Sequence, residues 1–160
     1  MAISCKTSEK DIDEFLMRAA KLIRDYILAA LTKLGEESIV KVRDRGPEES
    51  WIDHTGNLRS SVGYSVYDYG VKYMQSSFNM VLSGSKGQSE GMRMVQELAK
   101  EYSNTYALVV LAAMDYADRV EALENKDVLE STRIWALSVV DEKLNRAKEE
   151  AIKVINSWNL

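Results

Sequence analysis

The side chains of this sequence that could do chemistry are few and scattered. A thiol–imidazole pair would have to be built from Cys5 and His54, the single cysteine and single histidine of the chain. Such pairs are set in space, so the 48 residues between them are no bar. Cys5, however, lies near the start of the chain, where reactive geometry is hard to hold. A zinc site drawing on cysteine and histidine needs three or four ligands, and only two candidates exist. Neither a metal nor a cofactor is expected. An acid–base pair is conceivable in Asp115 and Glu121, which flank Tyr116. The simpler reading is a turn cap for Asp115 and a water-facing Glu121. Asp53 and His54 are adjacent, but neighbours in sequence rarely point at each other, so a loop-capping role is expected. Gly84, Gly87 and Gly91, interspersed with serines, form a polar glycine-rich stretch. It lacks the Lys-Ser or Lys-Thr of a phosphate-binding loop. A mobile hairpin tip or lid is expected there, and no catalytic activity overall.

The tyrosines say more. There are eight, against two phenylalanines, and Tyr64, Tyr67, Tyr69 and Tyr73 fall on or beside one short stretch. Strand neighbours face opposite ways, so these four cannot all be core. An exposed contact surface and ordinary cross-strand aromatic pairing both account for them. Stacking on single-stranded nucleic acid needs a basic groove, and only Arg59 and Lys72 lie nearby.

The elements that must carry these residues follow from hydrophobic periodicity. Ser8–Leu34 reads as a long amphipathic helix with Ser8 and Asp11 as a loose capping box, and Gly35 is placed to end it. Ser38–Val42 is a candidate short strand, and the following RDRGPEES, with Pro47, a solvent loop. The stretch Thr55–Gly70 (TGNLRSSVGYSVYDYG) opens with a short turn through Leu58. It then alternates Val62, Tyr64 and Val66 with Gly63, Ser65 and Tyr67, as a half-buried strand would. A hairpin turn at Asp68–Gly70 leads to a second strand over Val71–Leu82, with a bulge near Gln75–Ser77. Ser89–Ser103 reads as a helix and Tyr106–Ala113 as a central strand covered on both faces. Asp115–Ala122 reads as a short turn or helix, and Asp127–Leu129 as a last short strand. Ser131 caps a closing helix reaching about Trp158. The expected fold is a two-layer α+β domain spanning residues 1–160. In it a mostly antiparallel sheet of three or four strands, with one inserted helix, is packed by the two long helices.

The totals limit the function further. A chain of 160 residues, 46% hydrophobic and 29% charged, can bury a real core. A net charge of −4 gives no strong pull toward nucleic acid or anionic lipid. The longest apolar run, Tyr106–Met114, is too short to span a bilayer, and the N-terminal stretch lacks the pattern of a secretory signal.

With these elements in place, two segments resemble the phage tail-completion (head–tail joining, or neck) proteins, the family that includes the minor tail protein Z of lambdoid phages. The first is His54-Thr55-Gly56-Asn57-Leu58-Arg59-Ser60-Ser61-Val62, similar to a DTGxLRxSI pattern with His54 where aspartate is common. The second is Tyr106-Ala107 with Met114 to Ala122, MDYADRVEA. The resemblance implies a structural virion protein, located in the neck of the particle and assembled in the host cytoplasm. It would form a ring, commonly of six, between the head connector and the tail tube, with DNA passing through unread. The alternative is a small-ligand or regulatory binding domain of a host or mobile element, its sheet and Gly84–Gly91 enclosing a pocket. Candidate interface residues are Leu58, Arg59, Tyr64, Tyr67, Tyr69, Tyr73, Gly84, Gly87, Gly91, Tyr116 and Glu121.

Overall fold

The computed structural model describes residues 8–45, 51–123 and 126–158. Their order is α1 (Glu9–Arg43), α2 (Asn57–Ser61), β1 (Val62–Asp68), β2 (Val71–Gln75), α3 (Ser85–Leu98), β3 (Tyr106–Ala112), α4 (Ala117–Glu121) and α5 (Glu130–Asn156). The strands form one antiparallel sheet in the order β2-β1-β3. The fold is α+β, with long helices at both ends as the periodicity predicts. One sheet face rests on α1, and α3 covers the other.

α1 starts where expected, with Ser8 and Asp11 closing a reciprocal capping box. It does not stop at Gly35, and Ser38–Val42 is not a strand. The helix continues to Arg43 because Leu31, Leu34, Ser38, Ile39 and Val42 keep a helical period on the buried side. Gly35 sits mid-helix for a packing reason: a Cβ there would lie 2.4 Å from Cδ2 of Tyr64, whose ring lies against the helix. The β-branched Ile39, Val40 and Val42 are weak helix formers, and burial of Ile39 and Val42 overrides that preference. At the other end Ile12, Leu16 and Ile23 are exposed, because the first turns of α1 run beyond the sheet. There Phe15 meets Trp158 edge-on, with Arg18 over the same indole.

The central strand is β1, not β3. Both faces of β1 are buried from Val62 to Tyr67. Its small and polar residues make that possible: Gly63 admits the Phe78 ring, and Ser65 Oγ donates to the Met74 carbonyl at 3.0 Å. β3 is an edge strand, half-buried along most of its length, and no described strand pairs with its outer side. The β1–β2 turn has positive φ at both central residues, Tyr69 (48°) and Gly70 (82°), the twist that suits a two-residue hairpin. β2 ends at Gln75, short of the expected Leu82, and the register breaks between Val66 and Tyr67 instead of near Gln75–Ser77. Asp127–Leu129 forms no strand and leads directly into α5.

Candidate functional site

The first resemblance segment and the Met114–Ala122 part of the second come together around α2, and there the charged side chains bind backbone, whereas Tyr106 and Ala107 lie at the other end of the sheet. Asp53 accepts from the Gly56 and Arg59 N–H groups, each at 2.8 Å, and so holds the α2 turn as a loop cap. Gly56 allows that turn through its φ of 77°, and a Cβ on it would strike the Val81 carbonyl. The Arg59 guanidinium donates to the Arg43 carbonyl at 2.8 Å, at the end of α1, and lies 5.2 Å from the Trp51 ring centre. Arg43 in turn donates to the Val62 carbonyl at 2.9 Å. Helix end, turn and central strand are thereby tied together.

Glu121 performs the matching task for α5. Its carboxylate accepts from the N–H groups of Val128, Leu129 and Glu130 at 3.0, 2.8 and 3.1 Å. Those are orphan donors at a helix start, and a carboxylate there also suits the helix dipole. Glu121 is therefore a cap; the water-facing expectation is corrected, and its oxygens are not poised as a catalytic base. Arg45 completes the corner, paired with Asp127 at 2.8 Å and donating to Thr132 Oγ1. Burial works against the charge on Asp127, but hydrogen bonds from Ser131 and the nearby Arg45 outweigh it and hold its carboxyl below the usual range.

The expected interface divides sharply. Leu58 is buried, and Arg59 is occupied as described. Tyr64 and Tyr67 are fully buried, which corrects their reading as surface residues. Tyr64 Oη donates to Glu36 at 2.5 Å, and Tyr67 Oη to the Val95 carbonyl at 2.6 Å. Burial is the first cause that pushes both phenols above the ordinary tyrosine value, and the Glu36 charge adds to it at Tyr64. Tyr116 is half-buried over Leu58 and Val120; burial and the neighbouring Asp53 charge push its phenol up. Tyr69 and Tyr73 do stand in solvent, with Tyr69 edge-on to Tyr106 at 5.0 Å.

Gly84, Gly87 and Gly91 are neither a hairpin tip nor a lid. Gly84 precedes α3, and the other two lie within it. A Cβ on Gly87 would fall 1.8 Å from the Asn57 carbonyl oxygen, and one on Gly91 would fall 2.4 Å from the Phe78 ring. The glycines let α3 press onto α2 and the core.

Several large apolar side chains remain exposed. Tyr69, Val71, Tyr73 and Met74 are exposed on the hairpin, Met80 and Leu82 in the segment that follows it, and Ile134 and Leu137 on α5. Sequence reasoning found the tyrosines of the hairpin but missed its exposed aliphatic side chains. Among the described residues no cluster of His, Cys, Asp or Glu is arranged to hold a metal ion. No described helix is long and apolar enough to cross a membrane. No family model, curated protein or solved structure matches the chain.

Proposed function

We propose that this chain is a ring-forming tail-completion subunit, a virion protein that joins a phage head connector to a tail tube and leaves a passage for DNA. The observation that carries the reading is the division of labour at the resemblance segments. Asp53, Arg59 and Glu121 bind backbone groups, while large apolar side chains stay exposed elsewhere, among them Tyr69, Val71, Tyr73 and Met74 on the β1–β2 hairpin and Ile134 and Leu137 on α5. A ring made of identical subunits needs two different patches on each copy, so that one copy's first patch meets its neighbour's second. The mildly acidic net charge of −4 suits a lumen that must not grip phosphates.

The test is co-assembly. The purified chain, mixed with a head connector and a tail-tube protein from one phage, should give annular particles at the connector face by negative-stain electron microscopy. Connectors that stay bare, with the chain left behind as monomer, would overturn the proposal.

A further inference from the structure

β3 is an edge strand without the devices that keep edges apart. The bonds at its ends show which residues turn outward. Ala113 N–H donates to the Ser61 carbonyl and Tyr69 N–H to that of Thr105, so the odd-numbered residues face β1. The backbone groups of Leu108 and Val110 point away from the sheet, and no hydrogen bond among the described residues reaches them. Edges are normally blunted by a charge, a proline or a bulge, and Tyr106–Ala112 has none of the three.

The helix layer is displaced relative to the sheet. α5 packs along α1 and scarcely touches any strand. Its N-terminal half stands beyond β3, where Leu31, Leu108, Leu129, Ala136, Leu137 and Val140 line an open groove of about 410 Å³. The converse holds at the other edge. α1 lies under β1 and β3 but not under β2. Val71 and Met74 pair with Asp68 and Val66, so they share the α1 face, yet they are 68% and 43% exposed. One edge has a helix with no strand above it, and the other has a strand with no helix below it.

We infer that β2 of a second copy adds to the free edge of β3 and lies over α5, so that copies join head to tail. This rests on the ring reading and names its contact. Strands are spaced by about 4.8 Å and packed helices by about 8–10 Å, so a helix beside α1 underlies the next one or two strand positions. β2 and β3 both run antiparallel to β1, so the added strand runs parallel to β3. Val71 and Met74 of the incoming copy then face the groove. Lys72, which pairs with Tyr67, arrives on the opposite face, the side of β3 that α3 covers. A two-fold β3–β3 pair is ruled out by the same displacement, since it would drive α5 of each copy into the helices of the other. The register break in β2 keeps the backbone ladder short, and side chains over α5 make most of the contact.

The experiment uses the full chain with Cys5→Ser. One sample carries Leu137→Cys, a second Met74→Cys and a third Val109→Cys, and a short bis-maleimide links thiols that come close. The inference expects a linked dimer when the Leu137→Cys and Met74→Cys samples are mixed, and none from any sample alone. It also expects Val110→Pro to abolish assembly while the circular dichroism stays unchanged, because that N–H has no partner within the fold. Leu137→Glu, at a solvent-exposed position, should do the same without touching the core. Self-linking of Val109→Cys, or assembly unaffected by both Val110→Pro and Leu137→Glu, would overturn the inference and leave the ring reading standing. A wild-type chain that stays monomeric even with its connector and tube proteins would overturn both.

Discussion

Gly35 and Tyr64 show how a single residue can be misread when its neighbours in space are unknown. A glycine after a helical stripe usually marks a helix end. Here it marks the point where an aromatic ring meets a helix. Gly35→Ala should gain about 1 kcal/mol of helix propensity and lose about 2–3 kcal/mol to crowding against a ring with no room to move. A net loss of about 1–2 kcal/mol is expected, read as a lower urea midpoint at unchanged slope. Tyr64 itself makes a pH prediction. Its folded phenol ionises above the ordinary value of 10.0, so its contribution to stability is complete below that pH and is lost as pH rises past it. Tyr64→Phe should cost about 1 kcal/mol at neutral pH, since Glu36 can turn to water. The difference between variant and wild type should shrink between about pH 9 and 11 in urea titrations. A difference that grows over that range would contradict the assignment. Asp53 was legible as a loop cap because its chemistry is local. The burial of Tyr67 was not legible, because nothing in strand alternation says that the face opposite Val62, Tyr64 and Val66 will be covered too.

At the scale of elements, the long helices and the β1–β2 hairpin could be read from periodicity and turn chemistry, both properties of adjacent residues. The strand order could not. A run such as YALVVLA is apolar on both faces whether it sits at the centre of a sheet or at an edge with both faces covered. The glycines of α3 escaped for a related reason: Gly-Ser composition suggests a loop, and only the approach of α2 explains it. Gly87→Ala tests that explanation. Its Cβ would meet a backbone carbonyl, which cannot turn aside as a side chain would, so a loss on the order of 3 kcal/mol is expected. Gln96→Ala, exposed on the same helix, should stay within about 0.5 kcal/mol of wild type. Equal effects in thermal and urea unfolding would mean that α3 does not depend on this close approach.

For the whole molecule, the decisive feature is the mismatch between its layers. Two of the three strands, β1 and β3, sit over α1, leaving α5 without a strand above it and β2 without a helix below it. The α+β class was legible in the sequence. The displacement was not, because it depends on which helix ends up beneath which strand. In the head-to-tail arrangement inferred above, each added copy covers the unlike edges of its neighbours, whereas a two-fold leaves one kind of edge open on both copies. Native mass spectrometry over a concentration series, with and without connector and tail-tube proteins, tests this most directly. The account predicts a series of head-to-tail species ending on one closed multiple of the chain mass, whereas a monomer under every condition, or a two-fold dimer that never grows, would contradict it.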